Sequence, residues 1–410
     1  MLAFNIESLY LIKKEKCSMI CLNLGIMLAF FGSLHPWVLW PLKELYVIPA
    51  SILVSASVLF SNSMKKTIYS RHDFFIALIS YIFASYYMLL TAQANINGMI
   101  INVFNVIIMY ALLRVDYNRL KQVTTFIAKA FAWILVFSIP CFILYIMGHS
   151  LPSTNISYGD DALYTYSNYY LFLLDDRSLT TIIPRFSSIF LEPGHLGTAT
   201  VLLLMSQCGK WKKWYNITLI AATILSFSLA AYVFLVVIII LNSWMKKKHI
   251  IVKMICFTLL LSSITAGAFL YNKGDNMLHD LILMRLEIED GEMAGDNRVT
   301  DDFKKEFENY MSSSDIMFGR EMDTKSSGNS GYRVFLYEYG FVGLILIVIF
   351  YSSWMIHVRY RRALISALIM AVLLFIVRGY MLWFSFFIPI FATAFLPEPV
   401  KQLKTNRKEV

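Results

Sequence analysis

The feature that most constrains this chain is a recurrence of apolar runs, each long enough to cross a bilayer. They fall near 17–34, 46–63, 73–92, 97–113, 122–147, 189–207, 249–271, 333–354, 363–378 and 380–396, and a membrane-spanning helix needs roughly 17 to 25 such residues. With 58% hydrophobic residues against 15% charged, the chain is far more apolar than an ordinary soluble domain. The expected fold is all-α, a polytopic integral membrane protein. The net charge of +9 comes from short basic clusters between apolar runs, the pattern that sets membrane orientation. No basic domain stands clear of the membrane, so no nucleic-acid partner is expected.

Orientation follows from those clusters. Lys13, Lys14 and Lys16 precede the first run, which ends without a small-residue cleavage site, so an uncleaved first helix with a cytoplasmic N-terminus is expected. Alternation then places Lys65, Lys66 and Arg71, then Arg114, Arg119 and Lys121, then Lys210, Lys212 and Lys213 on the inside. Lys246 to Lys248 demand the inside too, yet only the stretch 215–244 separates them from the previous cluster. Two short helices meeting near Ser226-Phe227-Ser228 as a shallow hairpin would satisfy both clusters; a single span with one exception to the charge rule is the alternative. With the hairpin, the total is about 12 transmembrane helices, and the basic C-terminal tail stays inside.

On this topology two long loops face outward. The chain divides into N-terminal helices (1–147), a first long loop (148–188), central helices with the hairpin (189–271), a second long loop (272–332), and C-terminal helices with a cytoplasmic tail (333–410). The second loop holds 14 Asp and Glu against 7 Lys and Arg, a formal charge of −7, which suits an outer location. Within it, Phe303, Phe307, Tyr310 and Met311 follow Thr300-Asp301-Asp302 at helical spacing, predicting an N-capped amphipathic helix on the membrane surface or over a cavity. Met277, Leu278, Leu281 and Met284 predict a second such stripe. In the run 97–113, Asn95, Gly98, Asn102 and Asn105 share one helical face that reads as interhelical hydrogen bonding or as a border to a substrate.

Nucleotide, dinucleotide, zinc-protease and serine-hydrolase motifs are all absent, as is any Asp-x-Asp pair of a metal-dependent glycosyltransferase. The five cysteines lie in or at the ends of apolar runs and predict neither disulfides nor a metal site. Polar chemistry gathers instead at Arg185-Phe-Ser-Ser-Ile-Phe-Leu-Glu192-Pro193-Gly194-His195-Leu-Gly197, on the threshold of an apolar run. Charges at such a boundary are costly unless bound or paired. Downstream come Leu225-Ser-Phe-Ser228-Leu-Ala-Ala-Tyr232, Asn297-Arg298, Phe318-Gly319-Arg320, and Gly328-Asn-Ser-Gly-Tyr-Arg333-Val-Phe-Leu-Tyr-Glu338-Tyr-Gly340-Phe-Val-Gly343.

In order and spacing, the stretch from about 180 to 345 resembles the O-antigen polymerase and ligase superfamily, of Wzy and WaaL type. Two departures stand out: Asn329-Ser330 occupies the place of the ligase branch's His-Asn, and Leu229 the place of an Arg after Ser228. The missing His favours the polymerase branch. The resemblance implies a GT-C-like membrane glycosyltransferase with two long periplasmic loops in the bacterial inner membrane, both termini cytoplasmic. It would transfer a glycan from undecaprenyl diphosphate to a lipid-linked repeat unit, with inversion and without metal or other cofactor. Implied partners are undecaprenyl-diphosphate-linked oligosaccharides, membrane lipids and, from the family alone, a chain-length regulator. An O-antigen ligase, and from another class a lipid-linked oligosaccharide flippase or transporter, are the competing readings.

Arginine's planar, permanently charged fork suits a departing diphosphate, which makes Arg185, Arg298, Arg320 and Arg333 the candidate diphosphate ligands. Each has a plainer role open to it as a headgroup anchor or surface ion pair. Glu192 is the candidate base for the acceptor hydroxyl, or a carboxylate capping the helix that Pro193 starts. His195 is a second candidate base, a sugar ligand, or a structural histidine. Arg378, before Gly379, reads as a further phosphate contact or an interfacial anchor, and the tyrosines of the first loop as platforms for sugar faces.

Overall fold

The computed structural model describes residues 2–61, 70–93, 95–159, 164–176, 184–246, 300–321 and 331–398, with scattered positions between 251 and 293. Helix dominates. In chain order the helices are α1 (Leu2–Gly32), α2 (Val47–Phe60), α3 (Arg71–Thr91), α4 (Ile96–Arg114), α5 (Tyr117–Ile146), α6 (Pro193–Ser206), α7 (Trp214–Leu225), α8 (Leu229–Met245), α9 (Asp301–Met311), α10 (Gly331–Met355), α11 (Arg361–Arg378) and α12 (Phe384–Ala394). A 3-10 segment, Trp37–Tyr46, leads into α2. Among the described residues six helical stretches are long and apolar enough to cross a membrane, and α7, α8 and α12 are shorter apolar helices. This is the pattern of a polytopic membrane protein. The predicted run 249–271 lies for the most part outside the described residues, as do Arg298, Asn329, Ser330 and the stripe from Met277 to Met284.

The centre is built from two short helices rather than long ones. Every residue of α6 after Pro193 is buried, and so is every residue of α12. The two pack together, flanked by α5, α7, α8, α11 and α1. Small residues let α6 come close to its neighbours: a Cβ on Gly197 would lie 2.7 Å from Ala231 Cβ and 2.8 Å from Ser226 Oγ, and Thr200 and Thr223 share a 2.8 Å hydroxyl hydrogen bond.

The stretch 215–244 breaks where two basic clusters compete for one side. The chain leaves helix at Ser226–Ser228, with Phe227 at φ 45°, and Lys246 Nζ returns to within 3.5 Å of Gly209 O beside the Lys210–Lys213 cluster. Both ends therefore lie together, and α7 and α8 form a short hairpin. Its tip meets the first loop, where Phe186 N donates to Leu225 O at 3.1 Å.

Neither loop is merely irregular. The first carries a three-stranded antiparallel sheet, β1 (Thr154–Tyr158), β2 (Tyr164–Asn168) and β3 (Leu173–Asp175), which corrects the all-α expectation. Aromatic and β-branched residues dense enough to read as sugar platforms are also good strand formers, and outside lipid they pair. In the second loop a further pair of strands, Ile288–Glu289 and Glu292–Met293, is antiparallel. There α9 forms as its sequence predicts, with Thr300 Oγ1 accepting from Phe303 N at 3.2 Å. Its apolar stripe does not rest on lipid. Phe303 and Tyr310 are buried against Tyr337 of α10, while Met311 is exposed.

Two glycines dock that loop onto a break in α10. Gly340 has φ 60° and ψ −170°, where a Cβ would overlap Met317 O, and a Cβ on Gly319 would overlap Glu338 O. Arg320 N donates to Tyr337 O at 2.6 Å, and Tyr87 Oη donates to Phe318 O and Tyr339 O at 3.0 and 3.2 Å. Gly340→Ala is expected to destabilise the protein by about 3 kcal/mol, combining left-handed strain with steric overlap. Thermal unfolding of the detergent-solubilised variant checks this, and an unchanged midpoint contradicts it. In the lipid-facing bundle, Asn102 donates to Ser85 Oγ at 3.0 Å, so this face of α4 binds a neighbouring helix.

Candidate functional site

The segment before α6 is laced on three sides. Trp37 N donates to Ile189 O at 3.0 Å, Leu173 N to Ser188 O at 2.8 Å, and Arg185 Nε to Ser226 O at 3.3 Å. Phe190 fills the space between Phe31 and Phe131. Three non-glycine residues with left-handed φ sit on the segments that converge here: His35 at 51°, Ser188 at 52° and Phe227 at 45°. Such backbone costs about 1–3 kcal/mol per residue and persists where the surroundings hold it, commonly at functional sites.

Glu192 occupies the N-cap position of α6, with Pro193 at the first helical position, yet its side chain makes no capping hydrogen bond. It turns to a cation instead. Its Oε2 accepts from Arg378 Nη1 at 3.3 Å and lies 3.6 Å from His195 Nε2. The capping role is thereby excluded, and the backbone N–H groups of Gly194 and His195, which precede the helical ladder, are left uncapped by it.

Arg378, which the sequence offers as a phosphate contact or an interfacial anchor, is that cation. It ends α11, and Gly379 in the left-handed conformation at φ 71° turns the chain away. Only 4% of its side chain is exposed. The guanidinium lies across Gly194, where a Cβ would overlap Nη2. Among the described residues Nε and Nη2 are buried without a hydrogen-bond partner. A guanidinium carries five N–H donors, and buried donors left unmade are costly, so these two suit an incoming anion.

The imidazoles form a second arc. His195 packs on Trp383 at 5.2 Å between ring centroids, and His35 packs on the same indole at 5.2 Å. Trp383 is in turn stacked on Tyr380 at 4.2 Å. Burial holds His35 below the ordinary histidine value, opposed by the negative charge of Glu192, so it stands neutral at physiological pH. Tyr158 shares a 3.3 Å hydrogen bond with His35 Nδ1.

The sequence-predicted residues divide accordingly. Glu192 and His195 come together, and Arg185 reaches the hairpin tip that also touches Gly197. Arg333 lies one short step along α10 from Gly331, whose α-carbon is packed onto the backbone of Ile376 and Val377, next to Arg378. Arg333 Nε donates to Tyr332 Oη at 3.2 Å. Arg320 is engaged within its own loop, its Nε donating to Asp315 Oδ2 at 2.7 Å and its guanidinium lying over the Tyr310 ring. That pairing holds the Asp315 carboxyl below its usual range and raises Arg320. Arg298 lies outside the described residues.

Comparison with other proteins adds no identity: no model of a known protein family matches the chain, and neither does any curated protein or solved structure.

Proposed function

We propose that the chain is a polysaccharide repeat-unit polymerase, a metal-independent inverting glycosyltransferase with a GT-C-like arrangement of about twelve crossings. It would act at the outer face of a bacterial inner membrane, extending undecaprenyl-diphosphate-linked glycans into O-antigen, capsule or exopolysaccharide. The observation that carries this reading is a carboxylate at a helix N-terminus, Glu192, paired with a buried arginine that has donors to spare.

The chemistry balances on those groups. An acceptor hydroxyl oxygen attacks the anomeric carbon, the bond from that carbon to the diphosphate oxygen breaks, and the hydroxyl proton passes to Glu192. Negative charge collects on the leaving diphosphate, where Arg378, Arg185 and Arg333, with the N–H groups at the start of α6, oppose it. A carboxylate held by arginine is a weak base. The diphosphate competes with Glu192 for Arg378, so donor binding frees the carboxylate to take the hydroxyl proton. His35, neutral in its pocket, can bond a sugar hydroxyl without adding charge.

The test is complementation of a deletion strain. Loss of a polymerase leaves single repeat units on the lipid core, loss of a ligase leaves unattached polymer on the carrier, and loss of a flippase leaves repeat units trapped inside. Glu192→Gln is expected to give the single-unit phenotype at normal protein level, with the rate of polymerisation in proteoliposomes down about 10²–10⁴-fold. Wild-type polymer length and amount from Glu192→Gln would sink the proposal.

A further inference from the structure

A second feature adjoins the Glu192 site without belonging to it. Between the 3-10 segment, the first turn of α4 and the end of β1 lies a cavity of about 1160 Å³, larger than the roughly 300–1,000 Å³ usual for drug-sized ligands. Three half-buried aromatic side chains line it, Trp37, Trp40 and Tyr158. They are fixed in place: Trp40 Nε1 donates to His35 O at 2.9 Å, Trp37 Nε1 donates to Tyr170 O at 3.1 Å, and the Trp40 ring meets Tyr158 at 5.0 Å. Polar groups share the lining, among them Glu44, Asn97 and the imidazole of His35.

This cavity meets the Glu192 segment through His35 and the turn that follows it. Pro36 bridges to Phe190 and Trp37 bonds to Ile189, so its lining is tied to the segment that leads to Glu192. His35 stands on the common wall, sharing Trp383 with His195. From His35 the path of contacts to Glu192 runs through Trp383 and His195.

Sugars present apolar C–H faces and hydroxyl edges. Held aromatic rings with carboxylate, amide and neutral imidazole groups between them match that pattern. Aliphatic side chains such as Leu42, Leu45 and Ile101 complete the lining, and the polar set is what a lipid tail alone would not use. We propose that this cavity cradles the acceptor oligosaccharide, its ring faces on Trp40 and Tyr158 and its hydroxyls on Glu44, Asn97 and His35. The inference rests on the polymerase reading and states where that site takes its acceptor.

The experiment uses full-length protein in nanodiscs and two probes. One is the repeat-unit oligosaccharide of the host surface polysaccharide, released from its carrier by mild acid; the other is undecaprenyl phosphate. The oligosaccharide is expected to quench tryptophan fluorescence in the wild type and in Arg378→Ala. Its affinity should fall about three- to tenfold in Trp40→Phe and Asn97→Ala, the range of one lost stacking or hydrogen-bonding contact. In turnover, Asn97→Ala should raise the KM for acceptor by the same factor with little change in kcat. Quenching by undecaprenyl phosphate in place of the oligosaccharide, or oligosaccharide affinity indifferent to both substitutions, overturns the proposal even if polymer is made. Oligosaccharide binding that depends on Trp40 and Asn97 supports it even where no polymer forms, in which case the polymerase reading alone fails.

Discussion

If the chain polymerises as proposed, Arg378→Ala is expected to lower the rate by about 10²–10³-fold, the usual consequence of deleting one oriented donor to developing charge. Four percent side-chain exposure, a 3.3 Å hydrogen bond to Glu192 and two donors without partners together make Arg378 the strongest candidate anion ligand among the described residues. A purely structural arginine would produce a loss of a different kind. Breaking a buried ion pair costs about 3–5 kcal/mol of stability because the partner charge is stranded, so protein level and unfolding midpoint must be followed alongside rate. Arg378→Lys separates the roles. Lysine keeps the charge beside Glu192 but loses the planar fork, so stability should largely return while the rate stays depressed. Full recovery of rate in Arg378→Lys would reduce Arg378 to a counter-ion.

The second large effect is expected from one methyl group. Gly194→Ala places a Cβ where Arg378 Nη2 now lies, and the guanidinium must leave the start of α6. Gly194 has an ordinary helical role as the second residue of α6, so alanine costs nothing in backbone conformation and improves helix propensity. The prediction is a protein that loses stability as Arg378→Ala does, because the pair with Glu192 is broken, and loses activity as severely. Combining the two substitutions should add little to either alone, since both remove the same contact. Additive losses in the double variant would show that Gly194 and Arg378 act separately.

Several elements were readable because short-range physics decided them. Thr300 followed by two carboxylates caps α9; Asn95, expected on a helical face with Asn102, instead caps α4 by accepting from Gly98 N. The hairpin at Ser226–Ser228 followed from two basic clusters that needed one side of a membrane, and Lys246 indeed returns to Gly209. Glu192 and His195 stand three residues apart around a helix start, so their meeting needed only the helix. The strands of the first loop were missed because aromatic density outside an apolar run gives no periodicity to distinguish a binding platform from a sheet.

The chain by itself thus determined a multi-helix membrane protein and a polar cluster where Arg185, Glu192 and His195 gather, and it left 215–244 as either a hairpin or one span. Only the tertiary structure decided what Glu192 pairs with. Its cation is Arg378, 186 residues further along, and no local pattern distinguishes an arginine anchoring a helix end from one turned inward over a glycine. That choice was made by packing: Gly379 turns α11 away, α12 is buried beside α6, and Gly194 leaves the one space in which the guanidinium can lie.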